Sequence, residues 1–341
     1  MKPIFLSLIF LKIWVCAYGN PITQGKFLRL LGIQATEEEA LPYGGIHALR
    51  TIYRALVEER ERLELIECGI RDLKPIGYLT ELQWLRLSHN PIRDITPLAG
   101  LQKLQVLSLY GVPSKGHRQR NGISDLTPLM NLKNLWSLTL DENNITKIET
   151  LGHLTELKTL YLTRNNISGI QPLSNLLALK TLYLSHNRIV DISPLSSLPE
   201  LSWLRLDSNR VSNLSPLRSC RKIERLSLAG NSFSDISALA SLIGLEELNL
   251  KGNQVGSLSS LLNLSKMKEL YLDDNQVSDL SPLRNMVKLR TLHLANNNVS
   301  DISSLMGLKS LSTLVLKGNP FEEVQVDSFK RAMPRCNVVL K

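Results

Sequence analysis

Apolar residues recur along most of the chain with a period of 22 residues. The unit that begins at Leu157 reads L-x-x-L-x-L-x-x-N-x-I-x-x-I-x-P-L-x-x-L. Within it, Leu160-Tyr161-Leu162 alternates with period two, which predicts a short strand with leucines on one face. A strand this short is not stable alone. We therefore expect neighbouring units to pair their strands in one parallel sheet over a continuous core.

The asparagine of this pattern marks the register of each unit. It recurs every 22 residues at Asn121, Asn143, Asn165, Asn187, Asn209, Asn231, Asn253, Asn275, Asn297 and Asn319. Asn90 lies 31 residues before Asn121, and Cys68 takes the same position 22 residues before Asn90, which gives twelve units. We expect the side chains to bond backbone groups of successive turns as a ladder.

The pattern resembles the 22-residue variety of the leucine-rich repeat, which is found in internalins of pathogenic bacteria and in phosphatase regulators of the SDS22 type. The match runs from about residue 60 to 320. The resemblance implies an α/β fold, a right-handed leucine-rich-repeat solenoid with a curved parallel sheet on its concave face. Leucines exposed at both ends of such an array need covering by cap segments. We divide the chain into a signal peptide (1–19), an N-terminal helical cap (20–60), leucine-rich repeats (61–319) and a C-terminal cap (320–341).

The two caps are predicted from apolar residues at helical spacing. An amphipathic helix is expected near residues 47–60, and a last helix and strand after residue 320. The residues expected to cover the core are Leu49, Ile52 and Leu56 at one end and Phe321, Val324, Phe329 and Met333 at the other.

The first 19 residues have the layout of a secretory signal peptide. Lys2 precedes an apolar stretch, and the small residues Ala17 and Gly19 mark a cleavage site before Asn20. Past residue 20 no apolar run approaches the roughly 20 residues that a membrane span needs. We therefore expect a secreted or periplasmic protein with no membrane span after signal removal.

The chain is basic, with a formal net charge of +9 and a pI near 9.4. Loss of Lys2 and Lys12 with the signal peptide leaves a charge near +7, and the expected concave face mixes Arg with Glu and Asp. We therefore expect no nucleic-acid partner.

Scarce aromatic residues fall on the face that can bind. In each unit, the residues six and four positions before the ladder asparagine point out of the sheet. Trp, Tyr and Arg dominate protein-binding hot spots. The candidate partner-binding residues are Trp84, Arg86, Tyr161, Tyr183, Trp203, Arg205, Arg225, Tyr271 and His293. The alternative is cross-strand stacking that only stabilises an exposed sheet.

Other constellations point away from catalysis and metal binding. Glu247 and Glu269 fall on neighbouring strands, which resembles a carboxylate pair, but Arg225 precedes them and an open sheet has no walls to exclude water. The aspartates four positions after the ladder position are better explained as turn caps than as a metal-binding column, because other residues interrupt them. We expect no enzyme and no cofactor.

A nine-residue insertion near residues 112–120 is the one break in register. It carries Lys115, Arg118 and Arg120. Insertions in repeat arrays often belong to the binding surface, so these residues are candidate contacts to an acidic partner. A surface insertion without function explains them equally well.

These observations favour an exported, non-enzymatic, monomeric binding module that recognises a protein, or a surface glycan, through its concave face. The alternative is an intracellular scaffold or phosphatase regulatory subunit of the SDS22 type. The two differ in the first residue of the mature chain, Asn20 or Met1.

Overall fold

The computed structural model describes residues 36–112 and 122–340. The predicted signal peptide lies outside the described residues, as do Lys115, Arg118 and Arg120 of the insertion. The chain divides into two compact units, Met1–Leu160 and Tyr161–Lys341.

From residue 36 onward, two α-helices precede the repeats of the first unit. Helix α1 (Glu37–Ala40) is capped by Thr36, whose hydroxyl accepts a hydrogen bond from the Glu39 amide while the Glu39 carboxylate accepts one from the Thr36 amide. Helix α2 (Gly45–Val57) buries one stripe of Ala48, Leu49, Ile52 and Ala55. The prediction that Leu56 faces the core is wrong, because Ala55 takes that place and Leu56 stays partly exposed.

Three-residue strands follow at regular intervals. In the first unit β1 (Arg62–Glu64), β2 (Trp84–Arg86), β3 (Val106–Ser108) and β4 (Ser137–Thr139) pair in parallel and in chain order. Strand β5 (Thr159–Tyr161) spans the boundary between the units. Within the second unit, the strands pair in parallel and in chain order. They are β6 (Thr181–Tyr183), β7 (Trp203–Arg205), β8 (Arg225–Ser227), β9 (Glu247–Asn249), β10 (Glu269–Tyr271), β11 (Thr291–His293), β12 (Thr313–Val315) and β13 (Asn337–Val339).

The predicted alternation within each strand is confirmed. From β1 to β12 the middle residue is a buried leucine and the two flanking residues face away from the core, apart from Val106, which is also buried. Short 3₁₀ helices carry the chain back to the next strand; in Gln171–Asn175 and Ser193–Ser197 a proline stands in the first turn. Proline suits this position because the first amides of a helix have no partner in the helix. Each repeat is thus a strand and a tight return segment around buried leucines.

The asparagine ladder is confirmed, and Asn209 shows its geometry. Its Nδ2 donates to the carbonyl of Leu206 in its own repeat and to the carbonyl of Leu184 in the preceding one, both at 3.0 Å. Its Oδ1 accepts the amide of Ile189, also at 3.0 Å. One buried side chain therefore bonds three backbone groups, and it shares the two carbonyls with the neighbouring asparagines Asn187 and Asn231.

The aspartate column forms turn caps, as the sequence predicts. Asp94 Oδ1 accepts the amide of Thr96 at 2.8 Å, and the same bond recurs at Asp125, Asp191, Asp235, Asp279 and Asp301. Asn213 substitutes for aspartate with the same bond to Ser215. Hydrogen bonds from Thr96 hold the pKa of Asp94 below its ordinary value.

A left-handed residue precedes each described ladder position, which the sequence patterns did not predict. The position has positive φ at Glu67, His89, Glu142, Arg164, His186, Ser208, Gly230, Gly252, Asp274, Asn296 and Gly318. This conformation costs an ordinary L-residue roughly 1–2 kcal/mol. The glycines at three of these positions were the available signal, because glycine adopts positive φ without that cost.

The insertion leaves the repeat register intact on both sides. The side-chain Nδ2 of Asn143 donates to the carbonyl of Leu109 before the insertion, and the Asn143 Oδ1 accepts the backbone amide of Ile123 after it, both at 2.9 Å. Gly111 has no room for a side chain, since a Cβ there would meet the carbonyl oxygen of Glu142. The ladder thus bonds the repeat on either side of the added residues.

The last unit ends in helix α3 (Glu323–Ala332) and β13. Val326, Phe329 and Met333 are buried at helical spacing. The prediction that Val324 covers the core is wrong: it is 61% exposed, because it lies off the stripe that these three residues form. Among the residues that the structure describes, none of the helices combines the length and apolar character needed to cross a membrane.

Candidate binding surface

Within each unit, the first and third residues of the strands, apart from the buried Val106, form an outward face, here called the sheet face of that unit. Their side chains point away from the buried leucines because successive strand residues alternate in direction. All nine described candidate residues, from Trp84 to His293, stand at these positions. Their role as contacts stays a prediction.

Five of them form a stacked group in the second unit, the central patch (Tyr161, Tyr183, Trp203, Arg205 and Arg225). The rings of Tyr161 and Tyr183 meet edge to face with centroids 4.9 Å apart. The guanidinium of Arg205 lies over the Tyr183 ring at 4.8 Å, and that of Arg225 over the Trp203 ring at 4.4 Å. Both distances are within the range of cation–π attraction. Side chains are thus stacked along two rows between strands β5 and β8. One row contains Tyr161, Tyr183 and Arg205, and the other contains Trp203 and Arg225.

A half-buried carboxylate, that of Asp207, bonds the turns next to this patch. Asp207 Oδ2 accepts the Ser185 hydroxyl at 2.9 Å, and Oδ1 accepts the Ala229 amide at 2.9 Å together with the hydroxyl of Ser227. These bonds link the turns after β6, β7 and β8. Sequence reasoning missed Asp207, because serine and aspartate there also fit an ordinary surface turn.

Charge changes sign beyond the central patch. Arg225 Nε lies 3.9 Å from Glu247 Oε2, and Glu247 is paired in register with Glu269 on β10. The hydroxyl of Tyr271 donates to Glu269 Oε2 at 2.7 Å. Burial, together with this bond to a carboxylate, raises the pKa of Tyr271 to about 12. Glu247 and Glu269 therefore have separate partners, an arginine and a tyrosine, on an open sheet.

Tyr271 and His293 form a second aromatic pair further along the same unit. Their ring centroids are 4.9 Å apart in an edge-to-face arrangement. His293 Nδ1 lies 3.4 Å from Asp273 Oδ2, and Asp273 Oδ1 accepts the Ala295 amide at 2.9 Å. Asp273 therefore positions the imidazole and one turn of the backbone.

The first unit carries its own group around Trp84. The guanidinium of Arg86 lies 5.5 Å and that of Arg62 lies 5.1 Å from the centre of the indole ring. Arg86 also approaches Glu64 at 3.9 Å. Arg62, the first residue of β1, is not among the residues selected from the sequence, and it joins this group through its contact with Trp84.

Metal-ligand geometry is lacking in the part of the chain that the structure covers. Across residues 36–112 and 122–340, no three residues of the types His, Cys, Asp and Glu gather closely enough to hold a metal ion. Two histidines are packed against tyrosines, His89 against Tyr110 and His293 against Tyr271.

Comparison with known proteins agrees with this architecture. The family profile described as "Leucine rich repeat" matches residues 156–211, and the profile described as "Leucine Rich repeats (2 copies)" matches residues 243–285 and 287–328. No curated protein matches the chain by sequence.

Solved structures include similar proteins from bacteria and plants. An internalin (inlF) from Listeria monocytogenes is 29% identical, with a TM-score of 0.78 over 92% of this chain and 86% of that chain. A leucine-rich repeat protein of Leptospira interrogans is 21% identical, with a TM-score of 0.61 over 91% and 93%. The ectodomain of the Arabidopsis thaliana receptor kinase GASSHO1/SCHENGEN3, in complex with CASPARIAN STRIP INTEGRITY FACTOR 2, is 24% identical, with a TM-score of 0.57 over 78% and 40%.

Leucine-rich repeat proteins typically mediate protein binding and are generally non-enzymatic binding modules. The 22-residue repeat, the asparagine ladder, the parallel strands and these similarities identify the chain as a leucine-rich repeat protein that resembles the internalins.

Proposed function

We propose that the chain is an exported, monomeric binding protein that recognises a protein partner through its sheet face, with the central patch as the main contact. The observation that carries the proposal is the stacked run of Tyr161, Tyr183 and Arg205 beside Trp203 and Arg225. Aromatic and arginine side chains that are already packed lose little conformational entropy on binding.

Stacking alone would also stabilise an exposed sheet, so binding and stability must be measured together. The mature chain from Asn20 is immobilised and exposed to host-cell and envelope extracts, beside the variant Tyr183→Ala/Trp203→Ala. We expect the double variant to capture at least tenfold less partner than the unsubstituted chain, while its thermal midpoint stays nearly unchanged. Intact capture with a large fall in the midpoint would assign the patch a structural role.

A matched control is available in the same unit. Leu177 and Val190 are 57% and 55% exposed and lie outside the strands. Leu177→Ala/Val190→Ala removes apolar surface from the same unit but leaves the sheet face intact. This control should retain the partner as the unsubstituted chain does.

The same patch also fits a glycan, because sugar rings stack on aromatic side chains. A glycan array probed with the mature chain separates the two classes of ligand. Binding there that is lost in Tyr183→Ala/Trp203→Ala, without any captured protein, would overturn the protein-partner proposal.

Export is supported by the signal-like first 19 residues and by the internalin resemblance. It is tested by N-terminal sequencing of the chain recovered from its source. A first residue at or near Asn20 is expected. Recovery from the cytosol with an intact Met1 would instead favour the intracellular scaffold or SDS22-type regulator.

A further inference from the structure

Two opposite charges on the sheet face of the second unit have no ionic partner. Among the residues that the structure describes, no carboxylate forms a salt bridge with Arg205, whose guanidinium rests on the Tyr183 ring. No cation pairs with Glu269, whose carboxylate accepts the Tyr271 hydroxyl. The charges between them are matched, because Arg225 approaches Glu247.

The spacing of these two charges follows from the strand order. Arg205 stands on β7 and Glu269 on β10, three strands apart in a parallel sheet. Adjacent strands lie about 4.8 Å apart, and Arg205 is the third residue of its strand whereas Glu269 is the first of its own. The offset of two residues adds about 7 Å along the strands, so the two backbone positions are separated by about 16 Å.

An extended polypeptide that runs obliquely across the strands comes close to this spacing. It advances about 3.4 Å per residue, so four residues span about 14 Å, and the long charged side chains cover the remaining distance of about 2 Å. Side chains four positions apart also point to the same side, whereas side chains three apart point to opposite sides. A partner segment crossing the strands could therefore place one charge on Arg205 and the opposite charge on Glu269.

We propose that Arg205 and Glu269 form a two-point charge clamp for an extended segment of the protein partner, which carries an acidic and a basic residue four positions apart. This inference rests on the proposed function and deepens it. The acidic side chain pairs with Arg205, whose planar fork of N–H donors suits a carboxylate. The basic side chain pairs with Glu269, and the order of the two charges fixes the direction of the segment.

The test uses fluorescein-labelled 11-residue peptides in a Ser/Thr background. Two peptides carry Asp and Lys four positions apart, one in each order. A third carries the pair three apart, and a fourth carries Asn and Gln instead. Binding to the mature chain is followed by fluorescence anisotropy at low ionic strength, where exposed charges are least screened. We expect one of the four-apart peptides to bind at least fivefold more tightly than the other three.

Charge variants of the mature chain connect any preference to these residues. Arg205→Gln and Glu269→Gln should each reduce the preference to within twofold. The double reversal Arg205→Glu/Glu269→Lys should favour the four-apart peptide of opposite order. Lys222→Gln is the matched control, because its ammonium pairs with Glu200, and it should keep the original preference. Thermal midpoints of all variants verify folding.

Equal binding of the neutral peptide, a preference that survives both Gln substitutions, or no binding of any peptide at millimolar concentration would each overturn the clamp. These outcomes are distinct from failure of the proposed function. If partner capture depends on Tyr183 and Trp203 but the peptides show no charge preference, the clamp alone is rejected. If capture is insensitive to the central patch, the proposed function is rejected by that experiment.

Discussion

The guanidinium of Arg225 lies 4.4 Å from the centre of the Trp203 ring, one strand away. Arg225 is exposed and Trp203 is partly exposed. At exposed sites a cation–π contact contributes about 0.5–1 kcal/mol. The pair therefore holds two exposed side chains in place while adding little to the free energy of unfolding.

A double-mutant cycle measures that contribution. We expect Trp203→Ala and Arg225→Ala to couple by about 0.5–1 kcal/mol in the free energy of unfolding. Lys222→Ala serves as the comparison, since Lys222 pairs with Glu200, and it should show no coupling with Trp203→Ala. A Trp203–Arg225 coupling well above 2 kcal/mol would indicate that the patch exists to hold the sheet together.

The ladder asparagines should be among the most sensitive polar positions. Asn209→Ala leaves the amide of Ile189 without a partner. The carbonyls of Leu184 and Leu206 each lose one of two asparagine donors, because Asn187 and Asn231 still bond them. An unsatisfied buried group costs about 1–3 kcal/mol and each lost hydrogen bond about 0.5–1.5 kcal/mol, so we expect a loss of about 2–6 kcal/mol in urea unfolding. Asn213→Ala removes only an exposed cap and should cost about 0.5–2 kcal/mol. Similar losses at both positions would contradict the ladder's role.

One rung of the ladder is incomplete, and it coincides with an unusual core residue. Asn253 Oδ1 is buried without a hydrogen-bond partner. The corresponding oxygens of Asn231 and Asn275 accept the amides of Val211 and Val255, but Phe233 occupies the equivalent place below Asn253. We infer that the larger ring displaces the backbone enough to break this bond.

Hydrogen exchange tests the incomplete rung. The amide of Phe233 should exchange at least tenfold faster than the amides of Val211 and Val255, because it lacks their bond to the ladder. In Phe233→Val the amide at 233 should become as protected as its two neighbours. Equal protection of all three amides in the unsubstituted chain would show that the bond is made in solution.

The buried thiol of Cys220 should make the free energy of unfolding fall as the pH rises into the alkaline range. Burial raises the pKa of its thiol from 9.0 to about 11. Between these values the unfolded chain loses the proton while the folded chain keeps it, so the free energy of unfolding falls as pH rises. The slope from this group is about 1.4 kcal/mol per pH unit between pH 9 and 11.

The Cys220→Ala variant isolates this effect. Its unfolding free energy, followed by urea titration from pH 8 to 11, should decline less steeply than that of the unsubstituted chain. Tyr271→Phe is the control, because the raised pKa of Tyr271 acts in the same direction above pH 10. Parallel pH profiles for Cys220→Ala and the unsubstituted chain would mean that the thiol ionises normally in the fold.

Much of the fold could be predicted because the same residue types occupy the same buried and turn positions in repeat after repeat. Leu160 alternates with Tyr161, and the asparagine follows at a fixed distance, so strand, core face and ladder all follow from spacing. Val324 was misplaced because a single helix offers no second copy against which to check its phase. The incomplete rung at Asn253 is a departure of a single repeat from the common pattern of bonds, and the periodicity of the sequence does not record it.

The candidate surface was only partly predictable for a related reason. The columns locate Trp203 and Arg225 on the sheet face, but the contact between them depends on rotamers that packing selects. Arg62 and Asp207 contribute through such contacts, and neither residue type is unusual at its position.

The hydrogen bonds of the ladder have a consequence for how the array can grow. In the regular repeats the asparagine side chain bonds backbone groups of the preceding repeat that lie 20 to 25 residues earlier in the chain, whichever repeat it belongs to. Lengthening the array by one repeat adds another copy of the same bonds and leaves the sequence separation between bonded groups unchanged. Duplication or deletion of whole 22-residue segments therefore needs no new kind of interaction, and repeat number is a property that genetic recombination can alter in unit steps.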